Sequence, residues 1–242
     1  MFRNLFKRQP KRKYGGIIAF LRLEDFWDSL LPEERDFIRE CYSSSQGGGN
    51  RKHIDSPKAN ISTTQTSTGF LTAYAGWAIS KKRFELADKL LKEAIKQPTN
   101  HIDLHYTYIY LIDICYKRRN ENPEWLERCI NYCLADIEIF PWVKEEYLQK
   151  ERERLIRYAD NPIHTKKERP SILKKAKNVE FLLHVPSFQR LAIIYEQQGK
   201  YGEAIDICKL ALNYGLHDGT KGGFKGRIDR LKKKANNKDR QD

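Results

Sequence analysis

The sequence predicts an all-α protein, an α-solenoid of antiparallel helix pairs. Three observations predict it. Apolar residues recur at three- and four-residue spacing in segment after segment, the period that gathers them on one helix face. Two helix pairs also share one internal spacing. In 185–216, Phe188, Leu191, Ala192 and Tyr195 mark one helix; Tyr201, Ala204, Cys208 and Ala211 mark a second, across a turn at Gln198-Gly199-Lys200. In 69–97, Leu71, Tyr74, Ala75 and Ala78, then Phe84, Ala87, Leu91 and Ala94, stand at the same intervals, each 117 residues earlier (71 against 188, 87 against 204). Two unrelated hairpins in an ordinary bundle would not be expected to agree in residue class at eight positions. Finally, 40% of residues are hydrophobic and the mean hydropathy is −0.73, which suits a surface-rich array better than one compact sphere.

In chain order, residues 1–20 read as a basic arm. Six of the first thirteen are Lys or Arg, with Phe2, Leu5 and Phe6 between them; a frayed tail and a polyanion-binding or membrane-surface arm are both compatible with that. Residues 21–42 read as a helical hairpin. Leu23, Phe26, Trp27, Leu30 and Leu31 form one face, Pro32 opens the second helix, and Phe37, Ile38 and Cys41 face inward. It is either an N-terminal cap of the array or a separate recognition element. Residues 43–67, dominated by Ser, Thr, Gly and Asn, read as a flexible linker or loop. The glycines at 47–49 lack the Gly-Lys-Ser/Thr that closes a phosphate loop, and Asn60-Ile61-Ser62 has the form of a glycosylation acceptor, of no consequence without secretion.

The helical repeat domain spans 68–236. Between the two matched pairs, Tyr108, Leu111, Ile112 and Cys115 stripe one helix; Leu126, Cys129, Ile130, Cys133 and Ile137 stripe the next, which Pro141 is expected to close. A fourth pair is expected at 142–158 and 171–184, around an enlarged loop at 160–170. Phe224, Ile228 and Leu231 at helical spacing predict a C-terminal capping helix over 224–234, and 237–242 is expected to be a disordered tail.

The chain carries 45 Lys and Arg against 32 Asp and Glu, a net charge of +13. Such an excess admits nucleic acid, an anionic surface or an acidic partner. No apolar run approaches the ~18 residues of a membrane span, so no transmembrane segment is expected. Five cysteines and no secretion signal predict reduced thiols and a cytoplasmic protein. No catalytic, dinucleotide or metalloprotease motif is present, which predicts a non-enzyme without cofactors; Glu145 and Glu146 read as a solvated helix face. Cys129 and Cys133, and His101 and His105, stand one helical turn apart. Zinc needs about four ligands, and no further pair at suitable spacing accompanies them. Core packing of the thiols and an Asn100 cap before the histidines are the competing explanations. The basic segments are 144–157, 166–177 and 221–234. The first is interleaved with Glu, whereas the last is nearly free of acid. There, Lys225, Arg227, Arg230, Lys232, Lys233 and Lys234 are the candidate polyanion contacts.

The spacing of the two matched pairs, a Leu-Ala or Tyr-Ala step, an aromatic residue opening the second helix and small residues at the crossing, resembles a tetratricopeptide repeat. The resemblance is strong over about 60 residues, looser over another 80, and excludes the first 67. It implies a concave groove lined by first helices that holds a protein or peptide. The groove positions would be Thr72, Gly76, Ile79 and Ser80 in one copy and Gln189, Ile193, Glu196 and Gln197 in the other. The Lys/Asn carboxylate clamp of one subclass is missing, since the corresponding steps read Gln189-Arg190 and Thr72-Ala73. The expectation is a protein-interaction scaffold; the alternative is a nucleic-acid-associated protein using the basic helix and arm. Neither the partner nor an oligomeric state is legible.

Overall fold

A computed structural model describes residues 12–44, 49–163, 165 and 167–238, with Lys238 described in its backbone alone. Every regular element among them is a helix. The chain divides into two compact units, Met1–Thr99 and Asn100–Asp242.

The first unit starts with α1 (Gly16–Phe20), α2 (Glu24–Ser29) and α3 (Pro32–Ser44). Of the expected arm, 1–11 lie outside the described residues. The rest differs from that expectation, because Ile17 and Ile18 are buried and Lys13 and Tyr14 both hydrogen-bond Asp28. The linker also differs. Its residues 45–48 lie outside the described ones, but α4 (Lys52–Asp55) buries Ile54. The Gly15 and Gly16 amides donate to the Asp55 and Ala59 carbonyls at 3.1 and 2.8 Å. Asp55 is the hub behind this folding back. It accepts from the Trp27 indole at 2.9 Å and pairs with Arg39. Leu23, Trp27 and Leu30 are buried as expected, whereas Leu31 is 51% exposed. Leu31 precedes the first turn of α3, where its amide instead meets Glu34 at 2.8 Å.

Helices α5 (Ser67–Ser80) and α6 (Phe84–Ala94) complete this unit. Thr66 caps α5 through the Gly69 amide. The buried Thr68 hydroxyl satisfies the Ala94 carbonyl at the end of α6. Lys89 of α6 pairs with the buried Glu34 of α3 at 2.7 Å.

In the second unit, α7 (His101–Arg118) is capped by Asn100 and α8 (Pro123–Ala159) by Asn122. Here the expected break fails, because α8 runs 37 residues straight through Pro141. A mid-helix proline costs about 3 kcal/mol. Phe140 and Val143, both fully buried beside it, offset that cost, since burying two such side chains contributes about 1.5–3 kcal/mol each. Then α9 (Arg169–Lys177) is shorter than expected, and 178–185 is not helical. His164 and Lys166, in the loop before α9, lie outside the described residues. α10 (Pro186–Gln197), α11 (Tyr201–Asn213) and α12 (Gly223–Lys238) follow. Of the tail, 239–242 lie outside the described residues. Phe224 and Leu231 of α12 are buried in the core formed by Cys129, Cys133, Phe140, Phe188, Leu191 and Cys208.

The two matched pairs also share a turn, bond for bond. In α5 the Lys81, Lys82 and Arg83 amides donate to Trp77, Ile79 and Ala78; in α10 the Gln198, Gly199 and Lys200 amides donate to Ile194, Glu196 and Tyr195. These donors and acceptors lie at the same offset as the apolar pattern. The turn places Lys82 at φ +58° and Gly199 at φ +71°. It is a left-handed helix stop in which the amide two residues past the cap returns to a carbonyl inside the helix.

Candidate functional site

Residues 178–185 depart from the helical pattern, and a cleft of the second unit forms beside them. Phe181, Leu183 and Val185 pack against the core, while Glu180, Leu182 and His184 face solvent. That alternation is the period of an extended strand. Among the described residues, 179–185 form no backbone–backbone hydrogen bond. Leu182 is 75% exposed. The cleft, about 760 Å³, lies between this strand, Lys144 and Leu148 of α8, Gln189 of α10 and the loop 214–219.

Both walls are pinned from behind. Phe140 holds Phe181 edge-on at 5.4 Å and Tyr214 at 5.0 Å. Lys144 Nζ donates to the Tyr214 carbonyl at 2.9 Å. The loop's Asp218 side chain is fully buried and accepts from Arg227 Nε at 2.9 Å. Burial pushes the Asp218 carboxyl up, but hydrogen bonds from Thr220 and Arg227 outweigh it and hold the group below the usual carboxylate range. The strand is held by His105, whose Nε2 meets the His184 carbonyl at 3.2 Å and whose Nδ1 meets Asp136 Oδ1 at 2.6 Å. His105 and Asp136 are both 0% exposed. One ring nitrogen thus faces a carbonyl and the other a carboxyl group. Asp136 Oδ2 has no hydrogen-bond partner among the described residues. The sequence reading missed this latch, although a signal was present. His105 extends the Tyr108, Ile112, Cys115 stripe, and Asp136 extends Cys129, Cys133; both are polar residues at core positions.

The sequence-predicted residues fall as follows. Thr72, Gly76, Ile79 and Ser80 lie in the first unit, and Gln189, Ile193, Glu196 and Gln197 in the second. Gln189 lines the cleft. Thr72 is 5% exposed, a correction to its groove-facing assignment, because it sits beside Leu71 on the packed side of α5. Glu196 pairs with Lys234 at 2.7 Å, so this groove position is engaged with α12. Among the polyanion candidates, Arg227 is 7% exposed and turned inward to Asp218, so it cannot meet a phosphate. Lys225, Arg230, Lys232, Lys233 and Lys234 are exposed, Lys234 on its Glu196 pair.

The paired histidines do not converge. His105 faces Asp136, whereas His101 stacks on Trp142 at 5.8 Å and meets Glu146 at 3.4 Å. Cys129 and Cys133 are buried in the core. Their mutual hydrogen bond lowers the Cys129 thiol and raises that of Cys133. Among the described residues, no group of three or more His, Cys, Asp or Glu is placed to hold a metal ion. No described helix is long and apolar enough to cross a membrane.

No family model matches the chain, and no solved structure matches it. A protein of Aquifex aeolicus (strain VF5), described as an "Uncharacterized protein", is 27% identical over 140 residues. The match covers 56% of this chain and 66% of that protein, just short of two-thirds of its length.

Proposed function

We propose that the chain is a non-enzymatic interaction protein that takes an extended segment of a protein partner beside the 179–185 strand. The absence of backbone–backbone hydrogen bonds, among the described residues, along the 179–185 strand carries the reading. An extended peptide laid along it gains main-chain hydrogen bonds, and alternate side chains fall into the cleft. The walls are already pinned, which lowers the ordering cost of binding. Leu182 supplies apolar contact at the centre and Gln189 a polar one.

In the same reading the two matched pairs are tetratricopeptide-like repeats of an α-solenoid with antiparallel pairs. Their bond-for-bond turns support this, and α7 with the first part of α8 is a degraded copy. The protein acts in the cytoplasm, a setting that suits five buried, free cysteines.

A display selection of random peptides against the whole chain tests the proposal. Selected peptides should lose at least tenfold in affinity with Leu182→Asp, and also when alternate peptide nitrogens are methylated. Ile193→Arg probes the α10 face. If Ile193→Arg abolishes binding while Leu182→Asp leaves it intact, the working surface is that face and the strand assignment is wrong.

A further inference from the structure

The excess positive charge has a focus that the basic C-terminal helix does not provide. At the junction of α7, α8 and α10, guanidinium groups cover aromatic faces. Arg190 and Arg119 lie 3.7 and 4.1 Å from the Tyr116 ring centre. Arg118 and Arg128 lie 4.3 and 4.4 Å from that of Trp125. Arg118 has a carboxylate of its own, Glu121 at 2.8 Å. Arg119 and Arg190 have none within ion-pair distance among the described residues. Arg119 donates only to the Tyr116 carbonyl at 2.7 Å. Arg190 Nε is buried and makes no hydrogen bond.

Arg119 and Arg190 share one ring, and like charges held close together are costly unless an anion joins them. Stacking fixes each guanidinium plane, and an N–H fork matches phosphate oxygens in bidentate fashion; with Arg190 Nε buried, the fork of Arg190 is its terminal Nη pair. Because guanidiniums already cover the rings, base stacking is not the mode here. We propose that Arg119 and Arg190, flanked by Arg118 and Arg128, bind the phosphate backbone of a nucleic acid. A polyphosphate chain matches both several arginines on neighbouring helices and the net charge of +13. The positive potential at this spot also acts on the neighbouring Cys129 thiol, which Arg190 and Arg119 lower further after the hydrogen bond from Cys133. The inference is independent of the peptide reading and uses none of the cleft residues.

The test is fluorescence anisotropy of the full chain with a labelled single-stranded RNA and a labelled DNA duplex, from about 50 mM to about 200 mM salt. Binding to either is expected at low salt. Arg119→Gln with Arg190→Gln should lose about tenfold, and the salt slope on single strands should become shallower by about 1.4, two phosphates at roughly 0.7 each. Arg190→Lys keeps the charge and loses the fork, so it should lose less; it carries the test if the double variant does not fold by circular dichroism. Binding to neither nucleic acid overturns the proposal. So does a double variant or Arg190→Lys that binds like the parent, or loss confined to Lys232→Gln with Lys233→Gln. A polyglutamate peptide competing as well as RNA of equal charge overturns the phosphate assignment.

Discussion

The His105–Asp136 pair is the point at which the fold of the second unit and its candidate strand depend on the same atoms. Removing the ring by His105→Ala leaves a fully buried carboxylate without a partner, a loss of about 3–5 kcal/mol. It also strips the hydrogen bond that, among the described residues, holds the His184 carbonyl. Asp136→Asn keeps shape and volume. It exchanges a charge-assisted bond of about 1.5–3 kcal/mol for a neutral one of about 0.5–1.5, so it should cost about 1–2 kcal/mol. An amide at 136 can donate to Nδ1 and leave the other ring nitrogen to donate to His184, so the strand anchor survives in that variant alone. Urea denaturation measures the two losses, and chymotrypsin cleavage after Phe181 or Leu182 measures the anchor. The alanine variant should be cut several-fold faster, and the asparagine variant at nearly the parental rate. If both variants unfold like the parent, or if cleavage is unchanged in His105→Ala, the latch does not hold the strand.

Other perturbations follow from single features. Lys82→Gly should raise stability by about 1 kcal/mol in urea titrations, because a side chain at φ +58° carries a left-handed penalty of about 1–2 kcal/mol, partly returned as glycine's unfolded-state entropy. Gly199→Ala, at φ +71°, should lower stability by a similar amount; opposite signs at the two sites are the signature of a shared turn. Gly16→Ala should destabilise the first unit by about 3 kcal/mol or more, combining that penalty with overpacking, since the new methyl would overlap the His53 carbonyl and stand 2.8 Å from that of Ile54. Trp27 fluorescence would report it, and an unchanged urea midpoint would refute the close approach. Burial pushes the Cys208 thiol up to about 11 from 9.0. The unfolded chain therefore gives up this proton first, so stability that is complete below pH 9 falls as pH rises towards 11, by about 2–3 kcal/mol in all. Cys208→Ala should remove that slope, and parallel alkaline losses in parent and variant would contradict it.

Much of the core was legible because burial and period coincide in it. At Leu71, Ala75, Ala87 and Leu91, and at Leu191, Ala192, Ala204 and Cys208, apolar or small residues at three- and four-residue intervals became buried, as the hydrophobic period requires. Legibility failed where a tertiary contact overrode a local rule. Pro141 is a strong stop signal, yet the sequence could not say that Phe140 would be ringed by Phe181, Phe188 and Tyr214, aromatics 41 to 74 residues away. Gly15 and Gly16 looked like the edge of a tail, because the carbonyls they approach belong to a segment whose composition reads as a linker. The arginine cluster was invisible for another reason. Arg119 and Arg190 lie far apart in the chain, and only packing brings them onto Tyr116.

The strand at 179–185 is the instructive failure, because its cause is local and was available. Leu182, Leu183 and Val185 invite continuation of a helix, but three features act against it. Val179 and Val185 are β-branched, which favours extended backbone. Apolar residues that pack inward stand at 181, 183 and 185, a period of two rather than 3.6. Pro186 opens α10 and disfavours helical geometry in the residue before it; Val185 accordingly sits at φ −123°, ψ +83°. The same proline that starts the next helix therefore keeps Val185 out of helical geometry, and Phe181 anchors the segment on Phe140 and Tyr147. The segment is left without backbone–backbone hydrogen bonds among the described residues, where every regular element is a helix. An unpaired edge is ordinarily a liability for a soluble protein. Here it borders a cleft whose other wall is held by Lys144 and Asp218, which is the place the proposed reading gives to an extended peptide.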